Sequence, residues 1–392
     1  MSLALTFALA LQTVNPDVVV TARRLEADHA VCAKGGCTPE RDAQAAIAWA
    51  ESQFRDGRYV AAKTILMKAP ARNKRHAATH PRPVAAIYEA YATVAWQEGD
   101  QDVHRRAVFD RVRTLRQNLP ADDLAVRAAA SATGDMWMRL GDAFKAEAAY
   151  AAADREAEAA GMSDVALRLR LRRARLQHML GNKKATTALL ASAEALPGTD
   201  APASRAAVRA MRLRLAAIDG DKAMLDRLTA NLGDLDLARP VLIWAPPYAR
   251  TALDAAQAGK RRSPAADLFD VRTNVLEPRP NGLEPRSGDI AAILWADIGF
   301  WIRPDGRTAE VELLRGSRDK AWAAPYLAQV AERRYSTTPV AAGQPGFYRI
   351  ERFTIRGGYD VPANSLIRRR SGAGRLEVLD ITDPPARIAA KE

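Results

Sequence analysis

Apolar and polar positions follow two different periods along the chain. Over residues 40–235, bulky and small apolar side chains such as Trp49, Phe54 and Leu66 recur about every three to four positions, as in amphipathic helices. From about residue 290 the apolar positions alternate with a period of two, which is typical of half-buried strands. The sequence therefore predicts a multidomain chain, with an α-helical domain followed by a small α+β domain.

Glycines divide the helical part at nearly regular intervals. They lie at Gly57, Gly99, Gly141, Gly181 and Gly220, with steps of 42, 42, 40 and 39 residues. Four of them are followed directly by a residue that can cap a helix, namely Asp100, Asp142, Asn182 and Asp221. A repeat of helix, turn and helix predicts an α-solenoid of stacked hairpins over residues 40–235, each burying its apolar face against its neighbours.

The carboxy-terminal pattern predicts a strand, a turn, a strand, a helix and a strand within residues 290–360. Alternation around Ile298 to Ile302 precedes the turn residues Asp305-Gly306, and a second alternating run follows. The helix is predicted over Asp319–Arg334 and the last strand over Phe347–Ile355. Residues 236–289 are rich in proline, which indicates a linker or cap, and residues 361–392 form a basic tail in which 376–381 could add an edge strand.

The helical part resembles the tetratricopeptide repeat family. The resemblance rests on the order of small residue, bulky residue, glycine, aromatic residue and alanine through about residues 40–233, with a longer period than that family usually has. Tetratricopeptide arrays are binding scaffolds, so the resemblance implies a protein partner and no chemistry.

The carboxy-terminal part is similar to the carboxy-terminal domain of the TonB energy-transducer family. The matching residues are Asp297–Ile302, Asp305-Gly306, Val311–Leu314, Gly316-Ser317, and Arg333-Arg334-Tyr335 with Pro339. The resemblance implies a module that accepts an extended peptide along an exposed strand. We expect Phe347, Tyr348 and Arg349 on the final strand to contact that peptide. A conventional TonB has a membrane anchor and a long proline-rich spacer, and we expect a cleavable leader and a helical array in their place.

The amino terminus predicts export. Leu3–Leu11 is an apolar run of secretory-signal length, and Ala8-Leu9-Ala10 supplies a small-x-small cleavage pattern, so residues 1–11 are predicted to be a signal peptide and the mature protein periplasmic. Residues 12–39 are then an extended leader. Within it, Val18, Val19, Val20 and Thr21 resemble the TonB box of outer-membrane transporters; a strand docked on the protein's own surface or a flexible leader are the alternatives.

Cys32 and Cys37 are the two cysteines of the chain and flank two glycines. In an oxidising compartment they are predicted to form a small disulfide loop. A zinc site with His29 would lack a fourth ligand at a familiar spacing.

Two later helices carry arginines in equivalent positions. An offset of 39 matches Arg170 with Arg209 and Arg173 with Arg212. Stacking of the repeats would place these four on one basic stripe, which could hold a carboxylate-bearing or other anionic ligand. The alternative is a solvated helix face whose arginine stems cover neighbouring leucines.

The formal charge of +12 is compatible with an anionic partner, for example an envelope component or an acidic protein, and the alternative is a basic solvated surface without such a partner. Nucleic acid is not predicted, because no aromatic residues interleave the basic run in the tail and export would remove the protein from it. We find no phosphate loop, no nucleophile elbow and no metal-binding motif, so neither an enzyme, a cofactor nor a metal is predicted. The predicted function is a periplasmic adaptor of TonB-dependent transport, and the alternative is a scaffold for envelope assembly.

Overall fold

The structure is a computed structural model that describes most of the chain between residues 22 and 382. The described residues are 22–198, 201–221, 223, 227, 240–246, 293–317, 320–337, 345–357, 359–360, 369–370 and 375–382. Val18 to Thr21, the predicted signal peptide and most of the predicted linker lie outside this part of the chain.

Helices occupy the described chain up to Asp219. Their bounds are α1 Ala22–Ala33, α2 Pro39–Arg55, α3 Tyr59–Asn73, α4 Pro81–Glu98, α5 Gln101–Asn118, α6 Leu124–Ala129, α7 Ala132–Arg139, α8 Ala143–Ala159, α9 Ser163–Met179, α10 Lys183–Glu194 and α11 Pro202–Asp219. Consecutive helices pack side by side, and the hairpins share cores rich in alanine and leucine, in which Ala62, Ala146 and Ala166 are fully buried. Small side chains allow this close approach of the helices.

The five predicted glycine corners are confirmed. Each glycine has a positive φ, between 69° and 100°, a backbone conformation that residues with a Cβ adopt at a steric cost. The side chains of Asp100, Asp142 and Asn182 accept a backbone N–H from the first turn of α5, α8 and α10, as predicted. A further corner at Gly161, between α8 and α9, falls between the spaced glycines and is missing from the predicted repeat.

The carboxy-terminal strands form an antiparallel sheet with one helix against it. The strands are β1 Leu242–Trp244, β2 Leu294–Ile302, β3 Thr308–Gly316, β4 Arg334–Tyr335, β5 Phe347–Arg356, β6 Tyr359–Asp360, β7 Arg369–Arg370 and β8 Arg375–Asp380, and the helix α12 spans Ala324–Ala331. The main sheet has the order β3-β2-β5-β8, while β1 pairs with β4 and β6 with β7. Tyr326 and Val330 of α12 pack on Ile298, Phe300 and Phe353.

The predicted strands and helix are present, but the predicted bounds need correction. Helix α12 is shorter than the predicted Asp319–Arg334. The sheet continues to Asp380, because Leu376 of β8 is buried in the same core, so residues 375–380 belong to the module and not to a tail. Residues 242–244, placed in the linker by the sequence, form a strand. The leader is helical from Ala22 to Ala33 and not extended.

The predicted disulfide is confirmed. Cys32 at the end of α1 and Cys37 just before α2 are joined by an S–S bond of 2.04 Å. The bridge closes the loop that contains Gly35 and Gly36, and it ties α1 to the first hairpin.

Candidate functional site

The sheet docks on two successive corners of the helical array. At the first corner, between α2 and α3, the indole of Trp295 lies so close to Gly57 that a Cβ there would stand 2.0 Å from its Nε1. At the second, between α4 and α5, a Cβ on Gly99 would stand 2.5 Å from the carbonyl oxygen of Gly357. Glycine is required at both corners for its positive φ and also for this close approach.

Arg352 of β5 is the centre of the first contact. Its side chain is fully buried, and its Nε and NH2 donate to the two oxygens of Asp297 at 2.6 and 2.8 Å. It also donates to the carbonyls of Phe54 and Arg55. These carbonyls lie in the last turn of α2, where the helix itself offers them no N–H partner. The guanidinium lies 4.3 Å from the ring centre of Trp295, a favourable cation–π contact.

Charged groups also bridge the second corner. The guanidinium of Arg356, at the end of β5, lies 4.9 Å from the ring centre of Trp96 in α4. Tyr359 donates to the buried Glu98, whose other oxygen accepts from Lys63 of α3 at 2.7 Å. The carboxy-terminal module is therefore attached to the first two hairpins by buried charged side chains and by hydrogen bonds to main-chain carbonyls.

Among the described strands, β3 lies at one edge of the main sheet and β8 at the other. Strand β5 pairs with β2 on one side and, over residues 351–356, with β8 on the other, so the edge strand expected within residues 376–381 is present and β5 is an inner strand there. Phe347 packs into the sheet core, and Arg349 donates to Asp380 of β8. The rings of Tyr348 and Trp301 are tilted against each other, with their centres 5.1 Å apart. No described strand pairs with the outer edge of β3, where Glu310, Glu312 and Leu314 are exposed at alternate positions.

A second surface is formed by two adjoining hollows on the helical array, which we call the arginine groove. Their volumes are about 400 and 370 Å³, and they share Ala128, Ser131 and Arg172 in their walls. Five arginines line them, from helices α5, α6, α7 and α9: Arg111, Arg127, Arg139, Arg168 and Arg172. Three carboxylates lie among them: Glu89, Asp135 and Asp164.

Asp135 is the best-connected carboxylate of the arginine groove. It accepts from Ser131 at 2.7 Å, from the hydroxyl of Tyr150 at 2.6 Å and from Nε of Arg172 at 3.0 Å. Burial, followed by the negative charge of Asp135, raises the pKa of Tyr150 above its ordinary value, so the phenol remains a donor. Three donors hold this carboxylate, so most of its acceptor capacity is already used within the protein.

The predicted arginine stripe is not on the arginine groove. Arg170 is buried and pairs with Asp154 and Glu158 of α8, and Arg173 pairs with Glu147 and Asp154. Arg212 pairs with Glu194 of α10 at 2.8 Å, and Arg209 is half-buried on α11. The first two residues face the preceding hairpin, and their charge stabilises helix packing.

The face of α9 that lines the arginine groove lies beside the face of Arg170 and Arg173, and it contributes Arg168 and Arg172 to the walls. Arg168, Arg172 and Arg175 follow each other at intervals of four and three residues and so share one side of the helix. Arg175 matches Arg214 of α11 at the same offset of 39. The repeat offset therefore identifies this pair as well as Arg170 with Arg209, but it does not say which face of the helix is turned outward.

His104 forms part of the wall of the second hollow and gives a prediction for pH dependence. Burial lowers its pKa to about 4, and its Nδ1 lies 2.9 Å from the carbonyl of Ala92. The folded state therefore holds neutral histidine, while the unfolded chain takes up a proton below pH 6.5. Stability from this residue is present above pH 6.5 and is lost as the pH falls toward 4.

We expect the free energy of unfolding to fall by roughly 2.5 kcal/mol more between pH 7 and pH 4.5 in the wild type than in His104→Asn. The asparagine keeps a donor near Ala92 and does not titrate. Urea denaturation at the two pH values measures the difference. A His80→Asn variant, with a partly exposed histidine replaced, serves as control, and equal pH dependence of all three proteins would contradict the assignment.

Among the described helices, none is long and apolar enough to cross a membrane. The described part of the chain also contains no group of three histidine, cysteine or carboxylate side chains placed to hold a metal ion.

Comparison with known proteins gives few matches. No family model matches the chain, and the search of curated proteins yields no match. Among solved structures, the nearly identical TPR-like repeats of a Podosopora anserina kinesin light chain match with 15% identity and a TM-score of 0.39, over 58% of this chain and 99% of that one. A variant of the same protein matches with 14% identity and a TM-score of 0.40, over 50% of this chain and 95% of that one. The assignment of a helical-repeat architecture rests on the helices and corners described above.

Proposed function

We propose that this chain is a non-enzymatic adaptor that binds proteins on two surfaces. One partner contributes an extended segment that adds to the edge of β3, and a second binds the helical array. The observation that carries the proposal is the outer edge of β3, with which no strand of the described chain pairs, in a sheet whose other edge, β8, lies against the first hairpin through Leu379 and Ile381. Unpaired backbone N–H and C=O groups on an edge strand are a ready template for another strand.

Side chains beside the β3 edge could select among peptides. Glu312 and Leu314 point to the sheet face that α12 does not cover. On this face Tyr348 donates to Glu312 at 3.5 Å and its ring contacts Trp301 in a tilted arrangement. An added strand would present alternate side chains to this aromatic and acidic strip. Main-chain bonds would give affinity, and the strip would give selectivity.

The similarity to the TonB carboxy-terminal domain suggests which partners to test first. Strand, turn, strand, helix and strand follow in the expected order, so we propose transporter or motor components of TonB-dependent uptake as partners and the periplasm as the location. The disulfide between Cys32 and Cys37 supports an oxidising compartment. Envelope assembly remains the alternative role, and capture from an envelope fraction would distinguish the two by the class of protein retained.

Hydrogen exchange tests strand addition directly. The probe is a synthetic peptide of residues 14–22, which contains Val18 to Thr21, added to a chain shortened to begin at Ala22. We expect amides of β3 to exchange at least about tenfold more slowly with the peptide, because outward N–H groups gain partners, while β5 amides do not change.

A scrambled peptide is the control for this exchange experiment. Protection that appears on β5 or β8 instead of β3 would contradict the edge assignment, and equal protection by both peptides would show that the sequence of the segment is irrelevant. If the segment already occupies the edge within the intact chain, β3 amides should exchange more slowly there than in the shortened chain.

A further inference from the structure

We propose that the arginine groove binds an extended acidic segment of a partner protein, with carboxylates on alternate residues. The proposal rests on the second half of the proposed function, because it names the chemistry that the helical array recognises. It does not depend on strand addition, since β3 contributes no residue to either hollow.

The arginine groove carries more positive than negative charge. Five arginines and three carboxylates line its two hollows, so two positive charges are in excess. Asp164 accepts from two arginines at once, from Arg127 on one oxygen and from Arg168 on the other. Within the described part of the chain Arg139 makes no ion pair, and its guanidinium lies 5.9 Å from the ring centre of Trp96. This excess of guanidinium groups favours a ligand that carries carboxylates.

His104 contributes a buried nitrogen without a partner to the second hollow. The residue lines this hollow and is only 3% exposed. Its Nδ1 lies 2.9 Å from the carbonyl oxygen of Ala92, which accepts only, so Nδ1 is the donor and Nε2 is left as an acceptor. Among the described residues no donor binds Nε2. A buried acceptor without a donor costs free energy, so a ligand that supplies an N–H or O–H group here gains affinity.

The first hollow contains the opposite kind of group. Arg127 lines it, and the buried Nε of this arginine has no acceptor among the described residues, while its NH2 donates to Asp164. One hollow therefore lacks a hydrogen-bond acceptor and the other lacks a donor. A polypeptide supplies both kinds of group at almost every residue, whereas a chain of phosphates supplies acceptors only. The three carboxylates of the groove would also repel continuous phosphates, so the ligand class that fits both hollows is a polypeptide.

The spacing of two arginines on α9 selects alternate residues of an extended segment. Arg168 lines the first hollow and Arg172 lines both, and they lie four positions apart on one side of the helix, about 6 Å along its axis. Alternate side chains of an extended peptide point the same way and lie about 6.6 Å apart. Within the protein, Arg168 uses NH1 on Asp164 and Arg172 uses Nε on Asp135. The remaining nitrogens of both guanidinium groups are donors for two ligand carboxylates at this spacing.

Fluorescence anisotropy with a defined probe tests the site in the full-length protein. The probe is a fluorescein-labelled peptide of four Glu-Ser repeats, compared with the same peptide carrying glutamine for glutamate. We expect the double variant Arg139→Gln and Arg168→Gln, which removes one arginine from each hollow, to bind the acidic peptide about tenfold or more weakly than the wild type does. Each single variant should bind about threefold more weakly, because the segment spans both hollows. Arg139→Gln breaks no ion pair of the described chain, so its effect is independent of any loss of folding.

The matched control removes two exposed arginines that line neither hollow, by Arg106→Gln in α5 and Arg155→Gln in α8. It has the same net charge as the double groove variant and should bind within about twofold of the wild type, because solvent and salt screen exposed charges away from the site. A second probe, two Glu-Glu-Ser-Ser repeats, has the same composition but no glutamates two positions apart, and it should bind the wild type about threefold or more weakly than the alternating peptide.

Four results would each overturn the proposal. They are equal losses in the groove and control variants, equal binding of the two acidic peptides, no binding of the alternating peptide by the wild type, and displacement of that peptide by inorganic tripolyphosphate at the concentration at which the unlabelled peptide displaces it. The last result would assign the groove to phosphate ligands. Protection of β3 by the peptide of residues 14–22 should be retained when the shortened chain also carries Arg139→Gln and Arg168→Gln, so failure of this site and failure of strand addition are distinguishable.

Discussion

Replacing Arg352 with methionine is expected to lower the free energy of unfolding by about 3–5 kcal/mol. The substitution removes both Arg352 bonds to Asp297, a carboxylate that is only 1% exposed. Arg315 would remain on one oxygen of Asp297, but the other would lose its buried donor. The carbonyls of Phe54 and Arg55 would lose their bonds as well, and the end of α2 would be left unsatisfied.

Urea denaturation of the full-length chain measures this effect, and Arg349→Met on the same strand is the matched control. Arg349 pairs with Asp380, whose side chain is 45% exposed, so its loss should cost about 1 kcal/mol or less. Adding Asp297→Asn to Arg352→Met should restore part of the stability, because it removes the buried negative charge. Similar losses for the two arginine variants would show that the contact between sheet and array is not held by this ion pair.

The corners and caps of the helical array could be predicted because they depend on local sequence. A glycine with positive φ and the aspartate after it act within one turn, and their spacing is visible along the chain. The docking of Trp295 on Gly57 could not be predicted in this way. Nothing near Gly57 in the sequence indicates that it must also admit an indole from the distant sheet module.

The arginines of α9 and α11 show a second feature that the sequence could not predict, namely which face of each helix packs inward. The repeat offset relates Arg170 to Arg209 and equally relates Arg175 to Arg214, so periodicity alone gives no preference. The face that packs inward is decided by the carboxylates of the neighbouring helix, Glu147, Asp154 and Glu158, which pair with Arg170 and Arg173. Those partners lie on α8 and become neighbours only when the hairpins stack.

The strand order of the sheet could not be predicted for a related reason. Alternation in Phe347–Ile355 identifies a strand but does not give its place in the sheet. Strand β8 follows residues rich in arginine and glycine. The pattern of residues 376–381 indicates a possible edge strand but not which strand it pairs with, and in the structure Leu376 is completely buried beside Phe353. Strand order is a property of the whole sheet, and among the described strands it places β5 inside the sheet and β3 at an edge.

A comparison of two glycine corners separates backbone strain from close packing. Gly57 and Gly181 have nearly the same φ, 76° and 77°, so an alanine at either position meets the same left-handed strain of about 1–2 kcal/mol. At Gly181 the added Cβ would meet nothing within 4 Å. At Gly57 it would stand 2.0 Å from Nε1 of Trp295, a distance that no packed atoms tolerate.

We therefore expect Gly57→Ala to cost roughly 3–5 kcal/mol and Gly181→Ala only about 1–2 kcal/mol, both measured by urea denaturation. Trp295 cannot easily swing away, because Arg352 lies 4.3 Å from its ring centre and is itself fixed by Asp297. The clash should therefore shift the sheet from the first corner, and faster hydrogen exchange at β2 should accompany the loss in Gly57→Ala alone. If both variants lose the same stability and β2 exchange does not change, the indole yields without cost, and the docking of the sheet on this corner does not contribute to stability.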